Sequence, residues 1–312
     1  MTKERIEIYI NRIIRYFEPY HFKVIEITPY IVNAYLQDML SHGKTNQKTG
    51  ASEPLSVRTV RGYKGILNAV FVQARIDGIR IDNPVDGIVI SGKKNREFSE
   101  EMLFLTREEI ADFLNFLKKN YPRLVPFAFF ASYYGLRRSE LLGLKWNAID
   151  FDKHTISIEN TVTRAKHVHE QAATKTSASR RTLTLIPLAE KCLKNILLEK
   201  KENKEFFGNE YVENEHIFTW EDGRSYDPNY ISRTFKKATK KYGRPEISLH
   251  KLRHSCVSLL AEMGWDVKKI QYWVGHSDFT TTVNIYMHFN KQRLNHAADD
   301  LAEITNDCSD II

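Results

Sequence analysis

The chain has 312 residues, 42% hydrophobic and 27% charged, which is enough for a sizeable core and, at roughly 100–200 residues per domain, points to two domains. A formal net charge of +7 favours an anionic partner, nucleic acid first and an acidic membrane surface second. The three scattered cysteines (Cys192, Cys256, Cys308) exclude a disulfide framework, the charged N-terminus shows no secretory signal, and the longest apolar run, residues 125–134, is about half of what a bilayer needs, so a soluble cytoplasmic protein is expected.

Ile6, Ile10, Ile13, Ile14 and Phe17 recur at helical spacing and predict a first helix over about residues 3–17. Thr28 followed by Pro29 reads as a cap with proline at the first helical position, opening a helix to about Ser41. A polar, glycine-containing loop, residues 42–54, precedes a third helix capped by Ser56 and carrying Val57, Val60, Ile66, Leu67, Val70 and Phe71. Arg58, Arg61 and Lys64 lie on its other faces; they are candidate DNA contacts, and a solvated helix face is an equally good reading. Asn83-Pro84 breaks the pattern, so residues 1–90 read as a helical, DNA-binding module. Residues 91–105 read as a linker with a basic patch, of which Lys93 and Lys94 are further candidate DNA contacts.

Thr106 with Glu109 three places on is a capping box opening a second domain over 106–289. Helices are expected to about Leu144. Thr155–Ile158 and residues 181–185 alternate as strands do, with a polar, basic connection between them at 164–180. From Asn229 onward the chain reads as helical again, with a break near Gly243 and Pro245. The expected fold is mostly α with a small β-sheet.

Four clusters could carry chemistry. Gly135-Leu136-Arg137 opens an apolar helix, where an arginine fork can face a phosphate, although a surface arginine at a helix start is the commoner case. Lys175, between two threonines in the strand connection, is by itself an ordinary solvated lysine. His250 and Arg253 are three apart and share a helix face, pairing a side chain that exchanges protons near neutral pH with a permanent cation. His250 and His254 are also four apart, as in zinc-binding helices, but Lys251 stands where the zinc-protease pattern requires Glu. Gly275-His276 leads into Tyr286, and a lone tyrosine there is more often core packing than nucleophile. Together, Arg137, Lys175, His250, Arg253, His276 and Tyr286 are what phosphodiester transfer needs without a metal or cofactor. The cations stabilise charge on the non-bridging oxygens, the phenol attacks, and a proton reaches the leaving oxygen.

In content and order these clusters resemble the tyrosine recombinase, or phage integrase, family. GLRRSELLGLKW is similar to its first arginine motif, TKT to its hairpin lysine, HKLRHS to its HxxR motif, and WVGHSDFTTTVNIYMH to its GH element and nucleophilic tyrosine. The similarity covers about residues 106–290; the helical first domain resembles the family's core-binding domain less sharply.

The resemblance implies a two-domain clamp, a helical core-binding domain plus a mixed α/β catalytic domain. Tyr286 would form a 3′-phosphotyrosyl bond. Arg137 and Arg253 would grip the phosphate, and Lys175 would protonate the departing 5′ oxygen. His250 would act as general acid–base and His276 would hydrogen-bond the phosphate.

It also implies no metal or ATP, double-stranded DNA attachment sites, a homotetramer on two duplexes, and a Holliday junction. Accessory DNA-bending or directionality proteins are allowed for. The tail, residues 290–312, carries Leu294, Ala297, Ala298, Leu301 and Ile304 as an apolar stripe that would dock on a neighbouring protomer or on its own domain. Integrases of phages and conjugative transposons often carry a further N-terminal arm-binding domain. Here the helices begin almost at Met1, so either the recombinase is naturally simple or that domain has been removed. Two other readings stay open: a type IB topoisomerase-like nicking-closing enzyme, and a non-catalytic DNA-binding regulator.

Overall fold

A computed structural model describes residues 3–45, 49–80, 82–91, 104–164, 168–172, 180–276, 279, 282–283 and 286–287, and the chain falls into two compact units, Met1–Met102 and Leu103–Ile312.

The first unit is built on three helices, α1 (Lys3–Phe17), α2 (Pro29–His42) and α3 (Val57–Ile76). Thr28 and Ser56 cap α2 and α3 by accepting from the backbone N–H of Ile31 and Thr59. The loop between α2 and α3 contains a short antiparallel pair, β1 (Lys44–Thr45) with β2 (Ser52–Glu53).

The core of this unit gathers Tyr9, Val32, Tyr35, Leu36, Val60, Tyr63, Leu67 and Phe71. On α1 the apolar stripe faces inward only in part, with Ile13 and Phe17 packed against this core. Ile10 and Ile14 are exposed, and Tyr9 turns inward to stack on Tyr63 at 4.3 Å. On α3, Val70 is likewise exposed. The face these helices bury is shared by the rings of Tyr9, Tyr35 and Tyr63 with Val32, Leu36, Val60, Leu67 and Phe71.

The second unit begins with α4 (Arg107–Asn120), whose capping box is complete: Glu109 N–H donates to Thr106 Oγ1 and Thr106 N–H to Glu109 Oε2. The apolar run folds as α5 (Val125–Tyr133), with Phe127, Ala128, Phe130 and Ala131 buried. No helix among the described residues is long and apolar enough to cross a membrane. After α6 (Arg138–Gly143), β3 (Ile149–Asp150), β4 (Thr155–Ile158) and β7 (Arg181–Thr184) form an antiparallel sheet in the order β3-β4-β7.

Between β4 and β7 lies a separate hairpin, β5 (Asn160–Arg164) with β6 (Val168–Ala172), whose second strand falls in the connection that reads as merely polar. Among the described residues α7 (Pro187–Phe207), α8 (Pro228–Lys241), α9 (Leu249–Glu262) and α10 (Val267–Val274) follow. α9, buried along most of its length, packs on α5. The fold is mostly helical with small sheets.

Candidate active site

Four stretches of the second unit meet: the turn from α5 into α6, the start of β7, the middle of α9, and the turn after α10. Gly135 makes the first turn in the left-handed region (φ 62°), and a Cβ there would lie 2.6 Å from Val274 Cγ1. The turn delivers Arg137 to the start of α6. Its backbone N–H donates to Glu140 Oε2 (3.0 Å), Nη1 donates to Glu140 Oε1 (2.5 Å), and Nη2 donates to the Gly275 carbonyl (2.7 Å). The Arg137 side chain keeps 34% of its surface exposed, so solvent or a ligand can reach it.

Arg253, on α9, is 1% exposed. Its Nη1 donates to the Gly135 carbonyl (2.5 Å), Nη2 to the Gly275 carbonyl (3.3 Å) and Nε to His276 Nε2 (3.1 Å). Burial, then the charge of Arg137, lowers its pKa to about 9 while Glu140 opposes, so it stays a cation at neutral pH. Gly275 closes α10 in the left-handed region (φ 66°), and its one carbonyl receives both arginines.

His276 Nε2 accepts from Arg253, which places the ring proton on Nδ1, where it donates to Thr282 Oγ1 at 2.7 Å. Burial first, and the Arg253 and Arg137 charges next, push its pKa down to about 2, so the ring is neutral.

Glu140 is 1% exposed. Burial alone would raise its pKa; Arg181, Arg253 and Arg137 outweigh that and hold it below the usual carboxylate range. Arg181 and Glu140 are the two members of this cluster that the motif reading misses. Arg181 donates from Nε to the Trp273 carbonyl (2.8 Å) and from Nη2 to Glu140 Oε2 (3.1 Å), with no side-chain exposure. A signal did exist. In the alternating run of β7, Arg181 has the parity of Leu183, a core position where a cation is costly unless fully paired.

His250 lies exposed in the first turn of α9. Its pKa is lowered by partial burial first and by Arg253 and Arg137 next, so it is a neutral imidazole able to take a proton at neutral pH. His254 packs edge-on against it at 4.3 Å, with a pKa lowered to about 4 chiefly by burial, and its buried Nδ1 has no hydrogen-bond partner. These two imidazoles form a pair, and among the described residues no group of three or more metal-ligating side chains occurs.

Tyr286 is helical and half-buried. The structure therefore brings Arg137, Arg253 and His276 together, with His250 beside them. Lys175, Lys93 and Lys94 lie outside the described residues, as does the tail's apolar stripe. Arg58 and Arg61 are exposed on α3 and Lys64 half-buried; Arg61 Nη2 donates to the Ile90 carbonyl at 3.3 Å. Chemically, three guanidiniums around one carboxylate leave a net positive site whose most accessible member is Arg137, which suits an anion with several oxygens.

The sequence model of the phage integrase family matches residues 103–293. A protein described as "Tyrosine recombinase XerC-like" from Caldanaerobacter subterraneus subsp. tengcongensis is 28% identical, over 97% of this chain and 78% of its own length. The ICEBs1 integrase of Bacillus subtilis is 26% identical, over 89% of this chain and 74% of its own. Among solved structures, the Tn1549 transposon integrase in complex with transposon right-end DNA shares the fold. Its TM-score is 0.71 at 22% identity, covering 95% of this chain and 94% of that one.

Proposed function

This chain belongs to the phage integrase family, and we propose that it cleaves and rejoins DNA at specific sites as a tyrosine recombinase, with Tyr286 as the nucleophile. The Tyr286 phenol attacks the scissile phosphorus, a 3′-phosphotyrosyl bond forms, and the bond to the 5′ oxygen breaks. Religation reverses this: a 5′ hydroxyl attacks the phosphotyrosine and releases the phenol. One phosphodiester replaces another, so no ATP is consumed.

The observation that carries the reading is the convergence of Arg137 and Arg253 on a single carbonyl, that of Gly275. Two forks that share one oxygen lie side by side, and a phosphate offers each of them an oxygen of its own. His250, neutral at neutral pH, accepts the phenol proton, and Lys175 protonates the departing 5′ oxygen. His276 has both ring nitrogens engaged. Its part is to orient Arg253, and contact with the phosphate requires exchanging that bond.

On this reading, four copies pair two duplexes and exchange strands through a Holliday junction, with accessory proteins setting direction. The solved neighbour is a transposon integrase bound to transposon right-end DNA, which makes element-end DNA the substrate to try.

The test is a covalent adduct. Nicked duplexes carrying the element-end sequences, incubated with chelator present, give a slow band on denaturing gels with the wild type and none with Tyr286→Phe. Tight binding to the correct site without an adduct overturns the catalytic reading and supports a DNA-binding regulator. An adduct without strand exchange between duplexes points to a nicking-closing enzyme.

A further inference from the structure

Among the described residues of the second unit, three charged side chains are buried: Glu140, Arg253 and Arg181. The proposed chemistry uses Arg253, and Glu140 braces Arg137; Arg181 has no part in it. We propose that Arg181 is a positioning residue. Through Glu140 and the Trp273 carbonyl it holds Arg137, Arg253 and the Gly275-His276 turn in the arrangement that receives the scissile phosphate. This rests on the reading that those two arginines grip that phosphate.

Arg181 touches no substrate, since its side chain is wholly enclosed. Its first effect is on Glu140. Oε1 takes Arg137 Nη1, while Oε2 takes both the Arg137 backbone N–H and Arg181 Nη2. Arg253 Nη1 stands 3.7 Å from that same Oε2, close enough to attract and too far for a hydrogen bond. With Arg181 gone, Oε2 loses its competing cation, and a shift of about 0.8 Å would complete a bond of ordinary length to Arg253. That bond would draw Arg253 toward the carboxylate and away from a phosphate. Arg181 thus satisfies Glu140 and leaves Arg253 available.

Its second effect is on α10. The carbonyls of a helix's last turn lack partners within the helix and carry the negative end of its dipole, so a buried cation there is well placed. Arg181 Nε takes the Trp273 carbonyl, and the Tyr272 hydroxyl donates to the Thr182 carbonyl, tying the end of α10 to β7 twice. Two residues beyond Trp273 is the Gly275 carbonyl that receives both catalytic forks, and next comes His276, which accepts from Arg253. One side chain therefore fixes both walls of the phosphate site. An apolar residue would fill the same core position at lower desolvation cost, which makes a purely packing role a poor account of an arginine here.

The experiment uses the full chain on the nicked duplex, with Arg181→Met, Arg181→Lys, Glu140→Gln and the Arg181→Met/Glu140→Gln double variant. Thermal unfolding, DNA affinity and single-turnover cleavage at saturating protein are measured for each. Arg181→Met should bind within about 3-fold of wild type and cleave about 100-fold more slowly, as a misplaced phosphate grip predicts. Arg181→Lys should recover part of the rate, keeping a charge beside Glu140 without serving the Trp273 carbonyl. The double variant should be no slower than the slower single one.

Wild-type cleavage by Arg181→Met overturns the inference, as does a loss of binding and rate in proportion to the unfolded fraction, or multiplicative losses in the double variant. If the wild type itself forms no adduct, the functional reading falls and takes this one with it. If the wild type forms the adduct and Arg181→Met is as fast, only this inference falls.

Discussion

His276 is neutral because burial disfavours its charged form, and because a protonated ring would also face Arg253 through the nitrogen that now accepts from it. That neutrality has a cost in acid. The folded pKa is about 2 and an unfolded histidine titrates near 6.5, so below about pH 6.5 the unfolded chain takes up protons that the folded chain refuses. His254, at about 4, behaves the same way. The stability each site contributes is present above pH 6.5 and drains away as pH falls, by up to about 1.4 kcal/mol per pH unit for each histidine. Denaturant midpoints of the wild type should therefore drop clearly between pH 7 and pH 5. His276→Gln, which keeps an acceptor for Arg253 and cannot titrate, should show a visibly shallower drop; an identical pH profile would count against the neutral buried ring.

At this scale the sequence is legible where the candidate residues stand close together. Arg137, His250 and His276 stand beside glycines or helix starts, and Arg253 follows His250 in the same short run. Arg181 and Glu140 are not legible in that way, because their meaning is a pairing across 41 residues that only the fold creates.

The turn after α10 is the element on which the site depends most. Gly275 sits in the left-handed region, and a Cβ there would meet the Arg181 guanidinium, with Cζ at 2.7 Å. Gly275→Ala adds both costs at once: backbone strain of roughly 1–2 kcal/mol and displacement of a buried side chain. Its melting temperature should fall and its cleavage rate should fall with it. A glycine elsewhere with open space and a positive φ, such as Gly243, should show the strain without the catalytic loss.

Elements announced by a cap are readable from sequence, since Thr28, Ser56 and Thr106 each make the bond their position predicts. The face a helix buries is less readable. On α1 the isoleucines share a stripe, yet stacking with Tyr63 turns Tyr9 inward and leaves Ile10 and Ile14 in solvent. The hairpin of β5 and β6 left no alternation to find. Its strands are held by backbone pairing of mainly polar residues, as in Thr163 opposite His169.

Over the whole molecule, the net charge of +7 becomes a statement about binding rather than fold. A protein that neutralises six or more phosphates loses on the order of 10³-fold in DNA affinity between 50 and 200 mM salt, because each contact releases a condensed counterion. That loss is the expected behaviour here, measured by fluorescence anisotropy on the nicked duplex. The same titration decides the role of α3.

Arg58 is exposed and Lys64 half-exposed, whereas Arg61 also bonds the Ile90 carbonyl, so its replacement would disturb the first unit as well as any contact with DNA. Arg58→Ala and Lys64→Ala are therefore the informative changes. If they contact phosphates, each should weaken binding similarly on specific and unrelated DNA and reduce the salt slope by about 0.9. If they belong to a solvated face, slope and affinity should both stay at the wild-type values. The distinction needs the slope, since affinity at one salt concentration confounds a lost contact with a small loss of folded protein, and only the former changes the number of ions released.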